Sequence, residues 1–267
     1  MRFNSKQLVL TLAILLCRCP SVLQGNTATT EDDHEKAEWI ESARAYQREL
    51  DVNPSSAKAH EGLGIALFRQ LAAQGARPAD YNDLVDRATA HLKEASQLQP
   101  AAPGPLLALS DLEAFLAERS ADADERNSHY KEAQDLLKRV LSLEPPKPET
   151  YLRLANLEHD QFGPPLREAK ARFGKNAGPI PDAELRRSLR QTYGSSIDDA
   201  ISNAQQASAA NSRFQRPLLL LSRLFRERAL LGDTQDQYVA DMQSAKNWEQ
   251  QFLATGGHLD STTSQGR

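Results

Sequence analysis

Six histidines, His34, His60, His91, His129, His159 and His258, are the side chains best suited to acid–base or metal chemistry near neutral pH. Zinc-assisted hydrolysis would need two of them one helical turn apart with a glutamate between, and no His-Glu-x-x-His run occurs. The two cysteines, Cys17 and Cys19, lie within the first 25 residues, which leaves no thiolate ligand or nucleophile in the rest of the chain. Adjacent His159 and Asp160 project about 100° apart on a helix and read as a poor dyad. Gly62-Leu63-Gly64 lacks the remainder of a phosphate-binding loop, and no Gly-x-Ser-x-Gly elbow is present. The pairs Asp32-Asp33 and Asp198-Asp199 also diverge and read as helix N-terminal charge. No nucleophile, base and orienting group form a set, so the expected role is not enzymatic, with no cofactor and no metal.

The informative pattern is structural. Ala88, Leu92, Ala95 and Pro100 stand at spacings that Ala133, Leu137, Val140 and Pro145 repeat, as do Ala200, Ala204, Ala207 and Ser212. A weaker copy, Ser42, Tyr46, Glu49 and Pro54, precedes them. Small and large residues at helical spacing let two helices approach closely, and a proline past the end stops the helix. The segment after each stop carries a second set: His60, Leu63, Gly64, Leu67; Leu106, Leu109, Ser110, Glu113; Tyr151, Leu154, Ala155, Glu158; and Leu218, Leu221, Ser222, Phe225. Such a unit cannot bury its apolar face alone, so copies must stack. Helices are expected at about 34–51, 56–74, 79–98, 104–120, 125–143, 148–162, 182–208, 215–231 and 234–254. The sixth should stop at Phe162, because Gly163, Pro164 and Pro165 follow it.

Over roughly Trp39 to Ala254 these residues resemble the tetratricopeptide repeat (TPR) family, whose motif is large–Leu–small–large on one helix and Ala–large–Ala–Pro on the next. The resemblance implies an all-α, right-handed TPR-like α-solenoid of antiparallel helix pairs. Glu49, Glu113 and Glu158 depart from it, acids where small or apolar residues are expected. Extra residues between the two helices of a pair, with Gly75 and Pro78 marking a turn, imply elongated hairpins, and one long insertion spans 163–181. The C-terminal part, with Leu224 to Ala229, Tyr238 and Trp248, is similar to a group of exported bacterial TPR proteins, a likeness that implies no activity.

The resemblance also implies a concave groove. Its positions fall on Lys58, Glu61, Ile65 and Arg69; on Leu107, Asp111 and Phe115; on Leu152, Arg153, Asn156 and His159; and on Arg216, Leu219, Arg223 and Arg226. Arg153, Asn156, Arg223 and Arg226 would hold an acidic segment or C-terminal carboxylate, because guanidinium forks match carboxylates. The insertion and the helix after it carry a second basic cluster, Arg167, Lys170, Arg172 and Lys175 with Arg186, Arg187 and Arg190, against Glu168, Asp182 and Glu184. That cluster reads either as a docking surface or as a solvated charged face.

Arg2 and Lys6, the apolar run Leu8–Leu16 and a small residue at Gly25 have the layout of a secretory signal peptide, too short to span a bilayer permanently. The expected organisation is a signal peptide at 1–25, a flexible linker at 26–35, the repeat domain at 36–255 and a disordered tail at 256–267. Loss of Arg2, Lys6 and Arg18 would take the net charge from −4 to −7, which argues against general nucleic-acid binding. Lipidation of Cys17 or Cys19 has poor sequence support, and no Asn-x-Ser/Thr acceptor without an intervening proline is present. Together these features point to an exported, periplasmic or extracellular scaffold that binds a protein or peptide partner, with a transport accessory or solute-binding TPR subunit, or a lipoprotein, as the alternative.

Overall fold

Stretches rich in Ala, Leu, Glu, Gln and Arg, punctuated by Pro and Gly, favour helix throughout. A computed structural model describes residues 25–73, 79–143, 147–174 and 178–257, and among these it has nine helices and no strand. They are α1 (Gly25–Val52), α2 (Ala57–Ala72), α3 (Tyr81–Leu98), α4 (Pro103–Arg119), α5 (Ala123–Leu143), α6 (Pro148–Ala171), α7 (Ala183–Ala210), α8 (Gln215–Leu230) and α9 (Gln235–Ala254). Local chemistry sets their starts. The side chains of Ser56, Asp182 and Thr234 accept hydrogen bonds from first-turn N–H groups of α2, α7 and α9, and prolines occupy the first turn of α4 and α6. The signal-peptide stretch, Gly75 to Pro78, Pro145, Lys175 and the end of the tail lie outside the described residues. Among the described residues no helix is long and apolar enough to cross a membrane.

The chain groups into two compact units whose boundary in sequence, His91/Leu92, falls within α3. In the first, α1 packs on α2, and Gly62 permits the approach: a Cβ there would lie 2.4 Å from the Tyr46 ring. In the second, α4 pairs with α5, α6 with α7 and α8 with α9, while α5–α6, α7–α8 and α6–α8 contacts join the pairs into a TPR-like all-α stack of antiparallel helices. The small seam residues Ala133, Ala200, Ala204 and Ala207 are fully buried there. Elongation is clear in α5, α6 and α7, of 21, 24 and 28 residues.

Two expectations need correction. The segment expected to be a flexible linker, 26–35, is helical, because α1 begins at Gly25. From Asn26 to Asn53 there is no Gly or Pro to stop a helix propagating backwards from the packed part of α1. The sixth helix does not stop at Phe162 either; α6 continues through Pro164 and Pro165 to Ala171. Two prolines in a helix interior withhold two N–H donors, at roughly 3 kcal/mol each. Against that stands an unbroken stripe: Leu152, Ala155, His159, Phe162, Leu166 and Ala169 recur at spacings of three and four residues and are all buried. Full burial of Phe162 and Leu166 alone contributes about 1.5–3 kcal/mol each, and Ala169 and the residues packed on them add to it. Packing outweighs the local preference to break.

The remainder of the insertion is docked. Ile180 is fully buried, and its N–H donates to the Leu230 carbonyl at 2.9 Å, serving one of the free acceptors at the α8 C-terminus. Lys170 Nζ donates to the Gly178 carbonyl at 3.3 Å.

The seam yields a stability prediction. Ala200 has no exposed surface, so Ala200→Leu should overpack α7 against its neighbours and cost about 1–3 kcal/mol in urea unfolding. A change below about 0.5 kcal/mol would show that the helices do not nest there.

Candidate functional site

α6 is the only helix whose residues join two core clusters among those described. Leu154 and Leu157 face Ala117, Tyr130, Ala133 and Leu137 of α4 and α5, while Leu152, Ala155, Phe162, Leu166 and Ala169 pack with α7 and α8. A helix so enclosed has little solvated surface, yet it carries Glu158 and His159, 4% and 5% exposed. Each finds a partner on a neighbouring helix. The Asn203 amide of α7 donates to both Glu158 oxygens, at 3.2 and 3.1 Å. His159 Nε2 lies 3.1 Å from Glu227 Oε1 of α8, itself 7% exposed, and Arg167 Nη1 lies 3.7 Å from the same oxygen. Glu227 Oε2 is buried with no hydrogen-bond partner among the described residues.

Burial dominates the electrostatics of Glu158. It raises the carboxyl to about 7, with the Asn203 hydrogen bonds pulling the other way and the Asp199 charge adding to the rise. For His159, burial pulls the imidazolium down, but hydrogen bonds to Asp160 and Glu227 and the Glu227 charge outweigh it and hold the ring at about 9. His159 and Asp160 therefore do meet, at 3.6 Å, contrary to the divergence expected of neighbours, because the exposed Asp160 carboxylate reaches back to Nδ1 while Nε2 faces α8. No hydroxyl or thiol bonds to the ring of His159 or of His129, which meets Glu113 at 2.6 Å, among the described residues.

The three acids that departed from the repeat are all engaged. Glu49 accepts from Ser56 Oγ at 2.8 Å, Glu113 meets His129, and Glu158 takes Asn203. Glu113 and Glu158, at equivalent repeat positions, each reach across to the following helix. Asp198 is not helix N-terminal charge as expected; it lies inside α7 and pairs with Arg228 at 3.1 Å.

Leu152 and His159 are buried and line no groove, because α6 turns that face into the core. Arg153 pairs with Asp111 of α4, and Arg226 with Glu249 of α9. In the first unit Lys58 is exposed, and the Arg69 guanidinium sits 6.0 Å from the Trp39 and Phe68 ring centres. That leaves Arg216 and Arg223 of α8, exposed and without an ion pair among the described residues, and Asn156 of α6, half-buried with no side-chain hydrogen bond among them. Arg223 stands one turn before Glu227, and Asn156 one turn before His159. The Arg223 charge is close enough to disfavour the protonated His159 ring.

The described arginines of the basic insertion cluster are paired with acids of this chain, although Arg167 and Arg172 stay exposed. Arg167 approaches Glu227, Arg172 pairs with Glu168 at 2.7 Å, and Arg186 and Arg190 serve Asp233 at the α8–α9 turn. A cleft of about 410 Å³ between α7, α8 and α9 is lined by Arg190, Asp198, Arg228 and Asp241, whose charges are already paired with one another or with Asp233. Glu227 and Asn203 were missed in the sequence. Glu227 had a signal, since it interrupts the stripe of Leu220 and Leu224 on α8 and Leu231 just past its end, much as His159 interrupts that of α6.

No family model matches the chain, and no curated protein matches it in sequence. Among solved structures it is similar to MamA, at 16% identity over 84% of this chain and 96% of that one with a TM-score of 0.48. It is similar to TTC0263, a thermophilic TPR protein of Thermus thermophilus, at 15% identity over 87% and 97% with a TM-score of 0.43. YrrB, a TPR protein with an unusual peptide-binding site, gives 13% identity over 80% and 98% with a TM-score of 0.33.

The buried acid and imidazole predict a pH profile. Folded Glu158 keeps a proton that the unfolded carboxyl loses above about 4.5, so stability falls as pH rises from 4.5 to about 7. Folded His159 keeps one that the unfolded ring loses above 6.5, so its contribution is complete below 6.5 and gone above about 9. Unfolding in urea should show greater stability near pH 5 than near pH 9. Glu158→Gln should gain about 1–3 kcal/mol at pH 8 and change little at pH 4.5, flattening the lower half of the slope. A stability that rises from pH 5 to pH 9 would contradict these protonation states.

Proposed function

We propose that this chain is a non-enzymatic helical-repeat scaffold, exported to the bacterial cell envelope, that holds an acidic segment of another protein against the exposed faces of α6 and α8. The observation that carries the reading is the pair of exposed guanidiniums at Arg216 and Arg223, with no ion pair to a carboxylate among the described residues, together with the half-buried Asn156 of α6, whose amide makes no side-chain hydrogen bond among them. An acidic chain normally surrounds its arginines with carboxylates, as happens here at Arg153, Arg226, Arg228 and Arg190. Two unneutralised forks on one helix favour carboxylates brought by a partner, and an Asn amide can bond the backbone of an extended peptide. Arg153 and Arg226 would have to exchange Asp111 and Glu249 for the ligand, which makes them secondary contacts. Export rests on the charged, apolar and small-residue order of the first 25 residues.

Acidic C-terminal peptides titrated against the protein test the reading. Arg223→Glu should weaken binding by about tenfold or more, since it removes an attractive charge and adds a repulsive one, and the affinity should drop with added salt. Unchanged affinity would remove α8 from the binding surface.

A further inference from the structure

Within the first unit two imidazoles meet head to head. His60 Nδ1 of α2 and His91 Nδ1 of α3 are 2.9 Å apart, and both rings are half-buried. The ring centres are 5.2 Å apart, which is what the 2.9 Å contact plus two ring radii requires when all four points lie nearly in line. The in-plane electron pairs of the two nitrogens thus share one axis. His60 Nε2 lies 2.9 Å from the Pro54 carbonyl, which can only accept, so Nε2 carries the proton and Nδ1 is left as a bare donor atom. Burial, and after it the charges of His60 and Arg87, keep His91 below its ordinary value, so neutral pH leaves it uncharged. The nearby Arg87 charge is offset by Asp83 at 3.2 Å.

We propose that His60 and His91 form a two-coordinate site for a soft monovalent d10 cation, copper(I) or its redox-stable stand-in silver(I). Two collinear nitrogen donors match the linear coordination of such ions. With metal–imidazole bonds of roughly 2 Å, the Nδ1 atoms must move to about 4 Å apart. The opening of about 1 Å is within reach of small side-chain torsions on two half-buried rings. Among the described residues no group of three or more His, Cys, Asp or Glu side chains converges, so an ion that demands four or six ligands finds too few. For the cation to bind, the single proton of neutral His91 shifts from the shared Nδ1 to Nε2, with no net proton released at neutral pH, and affinity falls as pH drops through the range where His91 takes a second proton.

The test uses the full chain carrying Cys17→Ser and Cys19→Ser, since thiolates would outcompete imidazoles for either ion. Calorimetric titration with silver nitrate in chloride-free buffer at pH 7.5 should give one site per chain. His60→Ala or His91→Ala should weaken it at least about tenfold, with unchanged helicity by circular dichroism, and zinc(II) should bind at least about tenfold more weakly than silver. In the unsubstituted pair, silver should shift the ¹⁵N resonances of both Nδ1 atoms and leave His60 Nε2 protonated, a readout that does not depend on the variants folding. Silver affinity unchanged by both substitutions, resonances that do not move, or tighter zinc binding would each overturn the site and leave the pair holding only a proton.

Discussion

α6 has to be buried from two sides at once. Its Leu154 and Leu157 close the cluster built on α4 and α5, and its Leu152, Ala155, Phe162, Leu166 and Ala169 close the one built with α7 and α8. Two features of the second unit follow from that double burial. It holds the helix together across Pro164 and Pro165, and it forces the polar side chains that fall on the enclosed surface to find partners on adjacent helices. Glu158 reaches α7 and His159 reaches α8, so the polar contacts tie the same three helices that the apolar ones do. An unpaired buried charge would cost several kcal/mol. These ties therefore fix the register of the stack more than they add to its stability, since well-packed apolar residues could replace them at little loss.

Much of the fold could be read from the sequence. The Ala-centred seams at 88, 133 and 200, the prolines after the helices and the Leu-small pairs between them placed seven of the nine helices of the described residues to within two residues. What could not be read were cases in which distant packing overrides local chemistry. Pro164-Pro165 is a strong local stop, and only the continuation of the stripe through Leu166 and Ala169 argues against it. The glutamates at 113 and 158 looked like faults in the packing; their partners, His129 and Asn203, are remote in sequence and carry no mark of the pairing.

The charge distribution explains why the candidate surface is narrower than the repeat pattern implies. Helical spacing identifies which residues share a face, but not which carboxylates the next helix brings opposite them. Asp111 and Glu249 take Arg153 and Arg226, while Arg167, Arg172 and Arg190 meet Glu227, Glu168 and Asp233. Arg216 and Arg223 stay unneutralised because α8 presents them outward at positions where no acid of α6 or α9 pairs with them among the described residues.

Native-state hydrogen exchange across α6 tests the double burial most directly. Amides of Leu166 to Ala169 should exchange only through the same opening that releases α7 and α8, with protection equal to that of Leu220 to Leu224. Exchange of Leu166 to Ala169 at loop-like rates, while Leu152 to Leu157 stay protected, would mean that the helix breaks at the prolines and that no single strut joins the two clusters.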